Sequence, residues 1–515
     1  MAVFVLVHQD SYHDSVLLMR LSEALRGVPG VEDAVVAMGT PQNRALLEAQ
    51  GYPAAELERA GPNDLVIAAK GGPGAPRAVE AELARRLAAD SGAAGEAGGE
   101  VRPASLAAAL ESHPEANLVL ISVPGVHAAR EARRALRLGR HVMLFSDNVS
   151  LEDEVDLKRE AAARGLLMMG PDCGTAILDG LPLGFANAVR RGAIGIVGAA
   201  GTGIQEISCC IHRLGGGVSQ AIGTGGRDLS EAVGGLMMRL GIEALAVHAD
   251  TRVIVVVSKP PAPAVAEQVV AALAAAAKPG VVHFVGAAPR AGDPVRGIEF
   301  ADSLAGAAEA ACRLAGVPDL ASAAPAADPA RIAALAARLA PGAALRGLFC
   351  GGTTGQEALA LLTRAGLEVR SNLHQKGPLR VEGVAPVPGH VLLDLGDDVF
   401  TVGRPHPMIE PGLRNERLAV EMRDPGVGLL LFDCVLGYGA HPDPAGVLAA
   451  GVEEARAAAR ARGGEVVAIA SVTGTPSDPQ DSDAQSRRLE AGGIVVERDN
   501  RSAATLAAAL LARIG

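Results

Sequence analysis

The chain has 515 residues, which is longer than one hydrophobic core normally supports and allows about three domains. Its formal net charge of −11, without a basic stripe interleaved with aromatic residues, argues against nucleic-acid binding. No apolar run approaches the ~18 residues that a membrane span needs, and the N-terminus lacks the basic region of a signal peptide. The sequence therefore predicts a cytoplasmic protein that binds neither nucleic acid nor membrane.

Aromatic residues make up only 2% of the chain and tryptophan is absent, so the cores must consist of Ala, Val, Leu and Ile. The cysteines form no CxxC pair and no metal-ligand spacing, which predicts reduced thiols and no metal site. These cysteines are Cys173, Cys209, Cys210, Cys312, Cys350 and Cys434.

Short apolar runs rich in β-branched residues alternate with alanine-rich helical patterns along the whole chain. Because these runs are apolar without alternation, we expect strands that are covered on both faces, as in parallel sheets flanked by helices. This pattern predicts an α/β architecture throughout. The predicted strands are residues 3–7, 64–68, 117–123, 141–145, 166–169, 193–197, 252–257, 281–285, 345–350, 391–395, 428–432, 466–470 and 493–496.

The runs group into three predicted domains. Residues 1–190 are expected to form a Rossmann-like domain with a flexible insert at about 71–103, which is rich in Gly, Ala and Glu. Residues 191–315 and 345–515 are each expected to be flavodoxin-like, joined by an Ala/Pro-rich linker at 316–344 that has room for one helix. Ligands of such sheets gather at the carboxyl ends of the strands.

Two glycine turns are nearly the same: each runs from an apolar strand into a helix. Their sequences are GIVGAAGTGIQE at 195–206 and GLFCGGTTGQE at 347–357. The first amides of a helix and its dipole form an anion site, so the repeat indicates a duplicated domain with two such sites. Glycines in these turns can also serve close packing alone. The candidate phosphate-binding residues are Gly198, Gly201, Thr202 and Gly203 in the first turn, and Gly351, Gly352, Thr353, Thr354 and Gly355 in the second.

Other loops at strand ends carry polar residues. Asp172 and Cys173 lie in the segment MGPDCG, which can either bind a carbonyl or carboxylate or form a plain turn. Lys259 follows another strand and is a phosphate ligand or a solvent-facing lysine. Arg227, in the glycine-rich segment IGTGGRD, can clamp an anion through its planar fork or pair with Asp228.

The densest polar segment, residues 394–415, contains Arg404, His406 and Arg414. Prolines on both sides of His406 stiffen its backbone and keep a helix from starting there, which favours a functional role over a structural one. Two later loops, at 437–444 and 471–479, add glycines, including Gly437 and Gly439, and hydroxyl groups. Together these loops supply amides, hydroxyls and cations, but no strong nucleophile.

These motifs resemble the succinyl-CoA synthetase superfamily, and most closely its FdrA family, over nearly the whole length. MGPDCG at 169–174 is similar to the Gly-Pro-Asn-Cys loop of the synthetase α-subunit, and the first glycine turn is similar to its phosphate-binding helix start. Residues 345–515 resemble the carboxyl-terminal domain of the β-subunit, with the segment at 437–440 matching a second phosphate-binding helix start. FSDN at 145–148 and TVGRPHPM at 401–408 are the FdrA-like segments. The resemblance implies a CoA-binding-type first domain and helix ends that hold phosphate during acyl-phosphate formation.

Three departures from the superfamily change this expectation. The loop that carries its phosphohistidine is replaced by PRAGDP at 289–294, without a histidine. No segment resembles an ATP-grasp domain, and the glycine-rich CoA turn expected after the first strand reads VHQDSYH at 7–13. CoA therefore stays an open ligand, and phosphate is expected as a substrate rather than a resident cofactor.

The FdrA resemblance implies a subunit that converts oxalurate and phosphate into oxamate and carbamoyl phosphate in purine degradation. Arg404, His406 and Arg227 would neutralise charge, while Asp172 and Cys173 would line the carbonyl site. The first alternative is an acyl-CoA synthetase whose nucleotide site lies on another subunit, with His406 or His441 as phosphocarrier. The second is a non-catalytic scaffold that binds a metabolite. Partner subunits from the same operon are expected in each case.

Overall fold

The structure, a computed structural model, describes residues 2–11, 13, 15–92, 103, 105–287, 295–318, 320, 328–401 and 404–515. The chain divides into two compact units. The first comprises Met1–Ser112 with Asp397–Glu410, and the second comprises His113–Gly396 with Pro411–Gly515.

The first unit contains a three-stranded sheet in the order β1-β3-β2, and both pairings are antiparallel. Apolar side chains of α1 and α4 pack on one face of β3, and side chains of α2 and α3 pack on the other. The elements are β1 (Ala2–His8), α1 (Ser15–Arg26), β2 (Val31–Met38), α2 (Pro41–Ala49), α3 (Ala54–Leu57), β3 (Leu65–Gly71), α4 (Ala75–Gly92), α5 (Leu106–Ser112) and α14 (Asp398–Thr401).

This sheet corrects the prediction of one parallel, Rossmann-like domain over residues 1–190. An apolar strand without alternation shows that both faces are covered, and β3 meets that condition inside an antiparallel sheet. The predicted flexible insert at 71–103 is also wrong in part, because residues 75–92 form α4. Residues 93–102 lie outside the described part of the chain. β2 escaped prediction because Glu32 and Asp33 interrupt its apolar pattern.

The second unit begins with a small parallel sheet in the order β4-β5-β6. Among the described residues of 1–190, only this part has the parallel βαβ pattern that was expected. Its elements are β4 (Leu118–Ile121), α6 (Gly125–Arg137), β5 (His141–Leu144), α7 (Leu151–Ala163) and β6 (Met168–Met169).

A seven-stranded sheet follows in the order β13-β12-β11-β9-β10-β7-β8. Its parallel part has the strand order 2-1-3-4-5 of flavodoxin-like folds, which confirms the prediction, and an antiparallel hairpin extends one edge. The elements are β7 (Thr175–Leu178), β8 (Leu181–Gly184), β9 (Arg191–Ala199), α8 (Gly201–Arg213), β10 (Val218–Gly223), α9 (Leu236–Val247), β11 (Val253–Ser258), α10 (Pro263–Ala275), β12 (Gly280–Phe284), β13 (Ile298–Phe300) and α11 (Leu304–Leu314).

The last sheet is parallel throughout, in the order β15-β16-β14-β17-β18-β19. Five adjacent strands of this sheet, β16-β14-β17-β18-β19, have the flavodoxin-like order, with β15 added at the edge beside β16. This domain is therefore also as predicted. The elements are α12 (Pro329–Ala336), which lies in the predicted linker, β14 (Ala344–Phe349), α13 (Gly352–Arg364), β15 (Val369–Ser371), β16 (His390–Asp394), α15 (Gly412–Glu421), β17 (Val427–Val435), α16 (Pro444–Arg460), β18 (Val467–Thr473), α17 (Ser482–Ala491), β19 (Val495–Glu497) and α18 (Asn500–Ile514).

Lys158 joins the small parallel sheet to the seven-stranded sheet. Its fully buried ammonium donates to Glu154 Oε1 at 2.8 Å, to Asp228 Oδ1 at 2.9 Å and to the Thr224 carbonyl oxygen at 2.8 Å. Two carboxylates and a carbonyl oxygen satisfy the charge and the N–H donors of this buried lysine. The cluster thus connects α7, which packs beside the small sheet, to the loop after β10 of the seven-stranded sheet.

Among the described residues, no helix combines the length and the apolar composition that crossing a membrane requires. All six cysteines are buried, and none of them forms a disulfide.

Candidate functional site

The first turns of α8 and α13 face and contact one another. The Thr353 amide donates to Thr202 Oγ1 at 3.2 Å. A Cβ atom added to Gly203 would lie 2.9 Å from Thr353 Cγ2, and one added to Gly351 would lie 2.8 Å from Thr202 Cγ2. The duplicated glycines thus permit a close approach of two helix N-termini. We call residues 200–203 and 351–354 the facing turns.

The facing turns leave amide donors available. Neither Ala200 nor Gly351, the N-cap residues, has a side chain that caps its helix. Within the described residues, no hydrogen-bond acceptor is recorded for the amides of Gly201, Thr202, Gly203, Gly352 and Thr354. These groups and the two helix dipoles make the region favourable for an anion.

The side chain of Asp433, a residue of β17, lies against the backbone that immediately precedes α13. Its carboxylate accepts 2.8 Å hydrogen bonds from the amides of Cys350 and Gly351 and a 2.9 Å hydrogen bond from Thr354 Oγ1. The buried Arg414 donates to the Asp433 carbonyl oxygen at 2.6 Å and lies 3.5 Å from the carboxylate. Burial raises the pKa of Asp433.

Asp433 is not among the site residues that the sequence motifs predict. The available signal was an aspartate inside the apolar run of β17, every residue of which is buried. A lone charged residue there needs a partner, and Arg414 provides one. Arg414 therefore has a supporting role behind α13.

Two opposite charges lie over the first turn of α13. A Cβ atom on Gly352 would be 3.0 Å from Lys259 Nζ and 2.5 Å from Asp394 Oδ2. Lys259 directly follows β11 of the seven-stranded sheet, so the lysine reaches α13 from the other flavodoxin-like domain. This contact places a cation beside the facing turns.

The Gln-Glu ending shared by the two glycine turns joins the domains. Glu206 Oε1 accepts a 3.1 Å hydrogen bond from the Asn500 amide, and its Oε2 accepts a 2.5 Å hydrogen bond from Thr473 Oγ1. Glu357 Oε1 accepts a 2.6 Å hydrogen bond from the Leu304 amide. Each glutamate thus bonds to a helix start in the other domain, a role that the sequence repeat did not reveal.

Gly198 and Gly355 are explained by packing. A Cβ atom on Gly198 would lie 2.7 Å from Ile204 Cγ1 and 2.8 Å from Val257 Cγ1. A Cβ atom on Gly355 would lie 3.2 Å from Leu373 Cδ1. Both glycines are buried. At these two positions of the repeat, glycine therefore permits close packing.

The loop that contains Asp172 and Cys173 lies against the glycine-rich loop 223–226. A Cβ atom on Gly225 would lie 2.4 Å from the Pro171 carbonyl oxygen. Asp172 is exposed, while Cys173 is buried and donates from its thiol to the Thr175 carbonyl oxygen. Burial raises the pKa of Cys173 to about 12, so its thiol is protonated at neutral pH.

Arg227 pairs with Glu154, whereas Asp228 belongs to the Lys158 cluster. Arg227 Nε donates to Glu154 Oε2 at 2.7 Å, and Nη2 donates to the Val149 carbonyl oxygen at 2.8 Å. Its side chain remains 48% exposed, which leaves a face for a further anion.

Gly437 and Gly439 form a contact between domains. The Tyr438 amide donates to the Ala186 carbonyl oxygen at 2.8 Å, and a Cβ atom on Gly437 would lie 2.5 Å from that oxygen. The helix after this loop, α16, is capped by its own Asp443, whose Oδ1 accepts the Gly446 amide at 3.1 Å. The side-chain cap satisfies a donor that an anion would otherwise use.

Arg404 and His406 belong to the other compact unit, within Asp397–Glu410. His406 Nδ1 accepts the Met408 amide at 3.2 Å, which orients the ring. Burial lowers the pKa of His406 to about 4, so the ring is neutral at pH 7. The neutral ring can take part in hydrogen bonds, and a functional role for His406 stays a prediction.

Family models match three regions of the chain. Residues 348–510 match a CoA-ligase model, residues 189–287 match a CoA binding domain, and residues 1–103 match the heavy metal-associated domain of AllF. The last match coincides with the antiparallel domain. Among the described residues, no three His, Cys, Asp or Glu side chains are grouped as a metal site requires.

The Escherichia coli K12 protein YahF is 45% identical over 513 residues, which cover 98% of each chain. The chain belongs to the FdrA family of the succinyl-CoA synthetase superfamily. This FdrA-family chain is also 32% identical over 117 residues to the mitochondrial ADP-forming succinate–CoA ligase subunit alpha-2 of Trichomonas vaginalis, covering 22% of this chain and 38% of that protein.

Among solved structures, the chain is similar to the dinucleotide-forming acetyl-coenzyme A synthetase 1 of Ca. Korarchaeum cryptofilum in complex with phosphate and ADP. The two are 15% identical with a TM-score of 0.32, over 77% of this chain and 83% of that chain. The family assignment places the FdrA-family chain among the enzymes of the succinyl-CoA synthetase superfamily.

Proposed function

We propose that this FdrA-family chain catalyses phosphate-dependent acyl transfer, and that the acyl group is carbamoyl. In this reaction oxalurate and phosphate give oxamate and carbamoyl phosphate. The observation that carries the proposal is the contact between the two facing turns, with Lys259 beside the first turn of α13.

A single phosphate fits the charges of this region best. The amides of Gly201, Thr202 and Gly203 would donate to its oxygens, and Lys259 would offset its charge. Asp433 already accepts the two amides that precede α13, so a second phosphate there would meet a carboxylate. This asymmetry supports one phosphate shared by the facing turns rather than one at each.

The chemistry needs no protein nucleophile. A phosphate oxygen attacks the carbamoyl carbon of oxalurate, the bond from that carbon to the inner nitrogen breaks, and the nitrogen takes the proton carried by hydrogen phosphate to complete oxamate. Positioning of the reactants and stabilisation of developing charge lower the barrier of such a transfer. The histidine-free segment at 289–294, which lies outside the described residues, agrees with direct attack.

The remaining candidate residues would hold oxalurate. Asp172 and the backbone near Cys173 would contact its carbonyl groups, and the exposed face of Arg227 would pair with its carboxylate.

The test is phosphorolysis of oxalurate by the chain together with proteins encoded by neighbouring genes. We expect carbamoyl phosphate to accumulate in proportion to phosphate until the site saturates, and Lys259→Met to raise the KM for phosphate. Lys376→Met, at an exposed lysine, is the matched control. Carbamoyl phosphate at background level with the intact complex would rule the proposal out.

The matches to CoA-ligase and CoA-binding models favour a second candidate, an acyl-CoA synthetase with its nucleotide site on another subunit. It requires a phosphocarrier, for which His406 and His441 are the candidates. Incubation of the complex with labelled ATP would then leave acid-labile phosphate on this chain. Absence of label would exclude this candidate and leave direct transfer untouched.

A further inference from the structure

Glu206 and Glu357 occupy equivalent places in two similar domains. Each is the sixth residue of the helix that begins at a facing turn, α8 for Glu206 and α13 for Glu357. Both side chains are almost fully buried, and neither has a lysine or arginine within salt-bridge distance among the described residues. Such carboxylates need hydrogen-bond donors, which the opposite domain supplies.

The exchange between domains is reciprocal. Glu206, in the domain of the seven-stranded sheet, accepts the first amide of α18, that of Asn500. Glu357, in the other flavodoxin-like domain, accepts the first amide of α11, that of Leu304. The side chain of Asn500 also donates to Glu357 Oε2 at 2.7 Å, so both glutamates meet at this residue.

The N-cap residues of α11 and α18 leave these first amides to the glutamates. Ser303 accepts the Gly306 amide at 3.1 Å, and Asp499 accepts the Ser502 amide at 2.8 Å. A helix N-terminus has more donors than one cap can satisfy, and a carboxylate also interacts favourably with the helix dipole. Both effects favour the arrangement in which the two domains are docked.

We propose that Glu206 and Glu357 are positioning residues that lock the two flavodoxin-like domains together and so hold the facing turns at the spacing that binds phosphate. Neither carboxylate touches the phosphate. The phosphate part of this inference rests on the proposed function, whereas the lock itself does not.

The test measures amide hydrogen exchange and the binding of inorganic phosphate for Glu206→Ala and Glu357→Ala in the full chain. We expect Glu206→Ala to speed exchange at the start of α18 without changing the start of α11, and Glu357→Ala to speed exchange at the start of α11. Each alanine variant should weaken phosphate binding about tenfold, as expected for one lost buried hydrogen-bonding group. Glu206→Gln and Glu357→Gln keep an acceptor oxygen and should restore most of the binding.

Glu309→Ala is the matched control, because Glu309 pairs with Arg501 across the same interface at 2.7 Å while partly exposed. It should leave the phosphate affinity unchanged. If an alanine variant does not fold, Thr473→Val removes only the hydroxyl that donates to Glu206, and it should give a smaller effect in the same direction.

Wild-type exchange at α11 and α18 in both alanine variants would overturn the lock. Faster exchange with unchanged phosphate affinity would overturn the link to binding. A wild-type chain that binds no phosphate would overturn the proposed function and the link, while the exchange data would still decide the lock.

Discussion

The carboxylate of Asp433 accepts a 2.8 Å hydrogen bond from the Gly351 amide, immediately before α13 begins. The protein thus places its own anion where the sequence repeat alone suggests a second phosphate. Among the described residues, no carboxylate accepts a hydrogen bond from the equivalent amides before α8, those of Ala199 and Ala200. Two turns that are similar in sequence therefore differ in charge, and this difference is the reason for proposing one bound phosphate instead of two.

Asp433 and Arg414 should depend on each other for stability. Asp433→Ala leaves a buried guanidinium without its carboxylate, and we expect it to lower the free energy of unfolding by ~3 kcal/mol. Urea denaturation of Asp433→Ala, Arg414→Leu and the double variant measures the coupling. The double variant should lose less than the sum of the single variants, whereas strict additivity would show that the two side chains act independently.

The close approach at Gly203 should be sensitive to one methyl group. Gly203→Ala places a Cβ atom 2.9 Å from Thr353 Cγ2, so the facing turns must separate, and both the melting temperature and the phosphate affinity should fall. Gly412→Ala, also in the first turn of a helix but with no neighbouring atom within 4 Å, is the control and should be neutral. Equal behaviour of the two variants in calorimetry would contradict the contact.

Glu357 should make stability depend on pH. Burial raises the pKa of Glu357 from 4.5 to about 7. The folded state therefore holds this proton more tightly than the unfolded state. Its stabilising contribution is complete below pH 4.5 and is lost as the pH rises through 7. Above pH 7 the wild-type protein contains an ionised, buried Glu357, whereas glutamine at this position is uncharged.

We accordingly expect Glu357→Gln to flatten the dependence of the unfolding free energy on pH, with a gain relative to wild type on the order of 2 kcal/mol between pH 5 and pH 9. Denaturation in urea at several pH values measures this difference. Parallel curves for the two proteins would assign the pH dependence to other groups.

Much of the fold was predictable because buried strands appear in the sequence as unbroken apolar runs. The unbroken apolar run at 428–432 predicted β17, and the Gly-rich segment after 193–197 predicted the start of α8. Strand direction was not predictable at β3, since an apolar run shows that both faces are covered and gives no partner orientation. β10 was not predicted as a strand, because Ser219 and Gln220 interrupt its apolar run.

The candidate site was predictable only where local geometry determines it. Glycines at 201 and 203 pointed to a turn and an anion-binding helix start, which needs no long-range information. Asp433, Lys259 and the two glutamates acquire their roles from residues in other strands or domains. A Cβ atom on Gly352 would lie 3.0 Å from Lys259 Nζ, although the two residues are far apart in the sequence. Their spacing in the sequence does not predict that contact.

Isothermal titration of the chain with inorganic phosphate tests the central claim most directly. We predict one phosphate per chain, with an affinity that falls about tenfold in Lys259→Met, as for the loss of one charge-assisted contact, and stays unchanged in Lys376→Met. Two phosphates per chain, no binding, or equal affinity in Lys259→Met would contradict a single phosphate held by the facing turns and Lys259.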